Sequence, residues 1–247
     1  VNNDGMASGA IYYDEDGNEQ EIKASVVIMA CNGVGTPRIL LNSKSTRFPN
    51  GLANSSGLVG KNLMFHPYAH IFATFPDEVD GPRGPHDCIW SQEFYETDKN
   101  RGFVRGFTFE GARGHAPVSI AVIGMLGGQI PWGDGHHEAY RQRANHICGM
   151  VAICEDLPEE HNTVTLDPRL KDPDGIPAPK LTYTLSDNSR HMLEFSIERA
   201  REVLEAAGAT DVQSGYPIVG GGWHLMGTAR MGTDPERSVV NEWGRCH

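Results

Sequence analysis

The sequence predicts an α/β chain, α+β overall, and three observations carry that reading. Residues 26–30, VVIMA, form an unbroken apolar run that ends at Asn32-Gly33 and leads into a helical pattern. Residues 67–185 hold short β-type runs separated by Gly-, Pro- and Asp-rich connections. Residues 187–207 set Leu193, Ile197, Ala200, Leu204 and Ala207 at alternating spacings of four and three, one apolar stripe down a helix.

The elements follow in order. Ala10–Tyr13 and Glu21–Ala24 read as a hairpin around Asp14-Glu15-Asp16-Gly17-Asn18, because an Asp-Gly pair supplies turn geometry. Val26–Ala30 reads as a strand buried on both faces, as in a parallel sheet covered by helices. The helix beyond it is expected to be capped by Thr36, with Pro37 at its first position and RILLNS continuing it. Strand, glycine turn and helix start would aim backbone N–H groups at an anion such as a phosphate. Residues 45–66 are rich in Gly, Asn and Ser and read as a long structured loop. Strands are expected at 69–74, 118–122, 150–153 and 163–166, in a mostly antiparallel sheet. The last helix is capped by Ser186, Asp187 or Asn188 and ends at Gly208.

Composition narrows the function classes. The 247 residues, 39% of them hydrophobic, suffice for one large core or two smaller ones. A net charge of -11 with no run of Lys and Arg argues against a nucleic-acid partner. No stretch approaches the ~18 apolar residues of a membrane span. Five cysteines, an odd number without a CxxC pair, indicate neither a disulfide framework nor a thiolate zinc site. Val1 and the abrupt ending VVNEWGRCH suggest an internal piece of a longer protein.

The stretch YPIVGGGWHLMGTARMG, residues 216–232, concentrates the chemistry. Gly220, Gly221 and Gly222 precede His224, and Gly227 and Gly232 follow it. Glycine lets backbone approach a flat or bulky ligand. An imidazole, with an ordinary pKa of ~6.5, can take a proton near neutral pH. A bare surface around a base suits proton abstraction beside a planar cofactor.

The motifs WHLMGTARMG, VVIMACNGVGTPRILLNS and GLVGKNLMFHP, in that family's order, resemble the glucose–methanol–choline (GMC) oxidoreductases. The wording of the last two resembles the sugar and sugar-acid dehydrogenase branch, including gluconate dehydrogenases. The resemblance implies FAD as cofactor, part of an FAD-binding Rossmann-like domain, and an antiparallel-sheet substrate domain. Residues 1–65 would be the second part of the FAD-binding domain, 66–215 the substrate-binding domain, and 216–247 a truncated return to the first. His224 matches the family's active-site histidine, which receives or orients the substrate hydroxyl proton while hydride passes to flavin N5. Asn32, Gly33, Thr36, Asn62, His66 and Trp223 would lie at the cofactor. A sugar, sugar acid or polyol would be oxidised at a CH–OH group, and a quinone or cytochrome would take the electrons. No GxGxxG loop opens a helix after a strand in this chain, and the second active-site Asn or His would come after His247. The chain by itself is therefore expected to bind FAD poorly and to turn over little substrate.

Two rivals carry less. His136, His137 and His146, with Glu138 and Cys148, offer zinc-type ligands. Neighbouring histidines on a helix diverge, however, so no metal is expected. Trp90, Phe94, Tyr95, Trp132 and Tyr140 could make a non-catalytic carbohydrate-binding module by stacking, although aromatic residues on a sheet are usually core.

Overall fold

A computed structural model of the chain describes residues 1–81, 83–85, 87–114, 117–126, 128–215 and 222–247. In chain order it contains β1 (Gly9–Tyr13), β2 (Glu19–Lys23), α1 (Asn32–Asn42), β3 (Met64–His66), β4 (Tyr68–Thr74) and β5 (Asp87–Ser91). A 3-10 turn at Lys99–Arg101 leads to β6 (Phe107–Ala112), α2 (Pro117–Leu126), α3 (His136–Arg143), β7 (Ile147–Cys154), β8 (Thr163–Lys171) and β9 (Pro177–Thr182). Then come α4 (Asp187–Ala206), β10 (Asp211–Gly215) and β11 (Trp223–Met226). The chain divides into two compact units: residues 1–65, 157–184 and 224–247, and residues 66–156 and 185–223.

The first unit holds the expected hairpin. β1 and β2 pair antiparallel from Gly9–Lys23 to Tyr13–Glu19, and the Asp14 carboxylate accepts the N–H groups of Asp16 and Asn18 across the turn. Residues 26–30 do not form the strand expected of them. Val26 is 73% and Ile28 83% exposed, and the β1–β2 and β8–β9 hairpins and the pairings within the five-stranded sheet are antiparallel. A strand buried on both faces needs ladder partners, and none lies beside this run among the described residues.

Helix α1 begins at Asn32, four residues before the expected cap. Pro37 lies inside it, fully buried. Residues 157–184, read from sequence with the middle segment, belong to this unit. Their β8–β9 hairpin is held to α1 by Arg38, whose guanidinium reaches Asp172 at 2.7 Å and the Pro177 carbonyl at 2.8 Å. Leu40, Leu58, Val59 and Val239 form a small core in this unit.

The second unit is built on a five-stranded antiparallel sheet in the order β10-β4-β7-β6-β5. β4 alternates buried and half-buried residues, the pattern of a sheet with one face on the core. Ala69, Ile71 and Ala73 turn to α4 and pack with Phe107, Phe109, Ala152, Met192, Leu193, Ala200 and Leu204. Ser186 caps α4 by accepting the Ser189 N–H at 3.1 Å, so stripe and cap are as the sequence predicted, except that Ala207 is exposed. The strand expected at 118–122 is instead part of α2. A short apolar run fits either element, and Pro117 suits a first helical position.

Candidate functional site

His224 is exposed on β11 with a backbone φ of +56°. A non-glycine residue in the left-handed region costs roughly 1–2 kcal/mol and persists only where its surroundings impose it. Asn32 (φ +56°) and Asn62 (φ +60°) adopt the same conformation. Asparagine tolerates it. Three of the residues singled out from sequence therefore sit at left-handed backbone.

The local reasons are legible around α1. The side-chain oxygen of Asn32 accepts the N–H of Val34 at 2.8 Å and of Gly35 at 3.2 Å. It does the work assigned to Thr36, which is half-buried within the helix. Those two N–H groups are thus bonded within the chain. Pro37 has no N–H to give the carbonyl of Gly33, and the hydroxyl of Thr228 donates to it at 2.7 Å. A β-carbon on Gly33 would lie 2.8 Å from the backbone carbonyl of Leu225, the residue after His224.

Asn62 is 2% exposed, and its side-chain nitrogen has no hydrogen-bond partner among the described residues. A β-carbon on Gly227 would overlap the Asn62 carbonyl oxygen. The glycines at 33 and 227 therefore admit the chain's own backbone, not a ligand. Gly220 and Gly221 lie outside the described residues. Helix α1, the Asn62 turn and the strand of His224 are brought together in one unit by these contacts.

His66 and Trp223 fall in the other unit. Nδ1 of His66 lies 3.0 Å from the Cys154 carbonyl, and since a carbonyl only accepts, that nitrogen carries the proton. The rings of Trp223 and Tyr68 stand 4.6 Å apart at 31°, with Trp223 42% exposed. Tyr68, His70 and Phe72 form a ring ladder on the half-exposed face of β4. Of the module aromatics, Phe94 is stacked into the core against Phe107. His136 and His146 each bond a backbone carbonyl, of Pro131 and Phe75. Among the described residues no group of three or more His, Cys, Asp or Glu could hold a metal ion, and no helix is long and apolar enough to cross a membrane. A groove of about 580 Å³ between Lys44, Asn54, Gly57, Lys61 and Thr165 includes none of the residues chosen from sequence.

Sequence reasoning assigned no role to Thr228 or Tyr68. Thr228 stands inside the quoted motif, but its partner Gly33 is 195 residues away and Pro37 is the only hint of a missing donor. Tyr68 follows His66-Pro67 as an ordinary strand residue. The orphaned Nδ2 of Asn62 fits a bound group with a hydrogen-bond acceptor, and FAD presents such acceptors along its ring edge.

The fold is similar to that of a formate oxidase variant from Aspergillus oryzae RIB40, with a TM-score of 0.61 at 17% identity, over 99% of this chain and 51% of that one. The GMC oxidoreductase family model matches residues 158–247. A 2-methyl-1,2-propanediol dehydrogenase from Mycolicibacterium austroafricanum is 40% identical over 97% of this chain and 44% of its own length. The large subunit of fructose dehydrogenase from Gluconobacter japonicus is 29% identical over 96% and 43%. The gluconate 2-dehydrogenase flavoprotein of Pantoea cypripedii is 26% identical over 96% and 40%. Residues 158–247 thus carry the C-terminal GMC oxidoreductase domain, and the chain, similar to these curated relatives over nearly all of its own length, spans less than half of theirs.

Proposed function

We propose that the protein oxidises a CH–OH group of a polyol, sugar or sugar acid with FAD, and that His224 is the base. The observation that carries this reading is the exposed His224 at φ +56°, a strained backbone of the kind found where function requires it. The diol, fructose and gluconate dehydrogenases among the relatives support a polyhydroxylated substrate.

FAD, when bound, supplies the acceptor at flavin N5 for the hydride of the carbinol carbon. His224 receives or orients the hydroxyl proton, so that the departing hydride leaves a carbonyl and not a protonated one. Asn62 would donate to the cofactor from its buried amide, and the backbone at Asn32, Gly33 and Thr36 of the same unit would frame that group. Trp223, backed by Tyr68, offers an apolar face to sugar C–H groups. A quinone or cytochrome takes the electrons onward, in keeping with the dehydrogenases among the relatives.

The test is His224→Ala in the FAD-loaded protein. The yellow absorbance is retained, while anaerobic flavin reduction by a 1,2-diol, fructose or gluconate slows by roughly 10²–10⁴-fold. Reduction at the parental rate would remove His224 from the base role. Turnover with a quinone or dye but not with dioxygen is the expected acceptor pattern.

A further inference from the structure

Thr228 has no place in the chemistry above, yet it is 2% exposed and bonded at both ends. Its hydroxyl donates to the Gly33 carbonyl at 2.7 Å, and its own carbonyl accepts the Gly60 N–H at 2.9 Å. In a regular helix the Gly33 carbonyl would accept from residue 37. That residue is Pro37, fully buried inside α1, and it has no N–H. The acceptor left orphaned on one element is satisfied by a side chain from another.

The consequence reaches His224. Gly33 lies flush on the carbonyl of Leu225, the residue after His224, with room for no side chain. The strand is therefore pressed to the helix start at Leu225 and bonded to the same residue at Thr228. Two attachments to Gly33 span the segment just after the strained φ of +56°. We infer that Thr228 is a positioning residue for His224: its bond to the carbonyl that Pro37 leaves free holds the histidine's backbone in the left-handed conformation. This rests on the reading of His224 as the base.

The test uses the FAD-loaded protein and a double-mutant cycle of Thr228→Val with Pro37→Ala. Alanine at 37 restores an N–H that can reach the Gly33 carbonyl. Thr228→Val alone lowers the melting temperature by roughly 2–6 °C, as loss of a buried hydrogen bond does in a chain of this size. In the Pro37→Ala background the same change costs less than half as much. Thr228→Val also lowers kcat for flavin reduction roughly tenfold with KM unchanged, since small misplacements of a catalytic group act on kcat. Thr228→Ser, which keeps the hydroxyl, restores both readouts to within about twofold of the parent.

An equal thermal cost in both backgrounds overturns the bond, and a thermal cost without a change in kcat overturns the positioning role. If Thr228→Val does not accumulate, the double variant decides: its recovery supports the bond and its loss refutes it. Failure of the base reading shows separately, as an unimpaired His224→Ala, and leaves the thermal cycle standing.

Discussion

The α-carbon of Gly227 faces the carbonyl oxygen of Asn62 so closely that any β-carbon would overlap it, and Gly227 takes a φ of +91° to do so. Steric exclusion and backbone conformation thus demand glycine at the same position. Gly227→Ala should destabilise the protein by about 3 kcal/mol or more, combining left-handed strain with the clash. Thermal unfolding or soluble yield measures it. A variant melting within a degree of the parent would show that the Asn62 turn yields freely.

Arg38 and Asp172 give a signed pH dependence. The hydrogen bond from Arg38, above all, with backbone N–H groups of Ile176 and Asp174, holds the Asp172 carboxyl below the usual carboxylate range. A carboxyl whose folded pKa is depressed stabilises the fold above its unfolded value of about 4, and that contribution disappears as pH falls through the folded pKa. Melting temperature followed down from pH 5 should fall less steeply in Asp172→Asn than in the parent. Parallel curves would exclude a role for this pair in acid sensitivity.

Cys154 is fully buried in β7, and burial pushes its thiol up to about 12. A thiol that is neither accessible nor ionised does not react with a disulfide reagent. Cys246, exposed near the end of the chain, should label before Cys154, which reacts only on unfolding. Cys154→Ser should cost about 1–3 kcal/mol, because it puts a hydroxyl beside Ser196 in a cluster that is otherwise largely apolar. Labelling of native Cys154 on the timescale of Cys246 would contradict the packing around β7.

The Trp223–Tyr68 pair predicts a split between affinity and chemistry. Trp223→Ala should raise KM for a sugar or polyol roughly five- to tenfold, the worth of one stacking face, and Trp223→Phe should recover most of it. The measurement is steady-state kinetics with fructose and a short diol. Equal KM values for all three proteins would detach this ring from the substrate.

Periodicity and turn chemistry were sufficient for the locally encoded elements. The hairpin around Gly17, helix α4 with its Ser186 cap, and strands β4 and β7 depend on residues within a few positions of one another. The family wording also located His224, Asn62 and Asn32, whose left-handed backbones the structure then revealed. Val26–Ala30 shows the limit: an apolar run reads as a buried strand, but a strand is made by its ladder partners, which the run does not contain. Val118–Val122 fails for the related reason that a run of five residues carries no reliable period.

At the site, sequence alone determined which residue types are present: one imidazole, a tryptophan beside it, and glycines at 33 and 227. Tertiary structure alone decided what those glycines do. They accept the backbone of Leu225 and Asn62, contacts made by elements far apart along the chain. It also decided that the acceptor missing a donor because of Pro37 is completed by Thr228. A hydrogen bond has direction and length but no sequence signature when its partners are 195 residues apart, so only the folded chain could pair them.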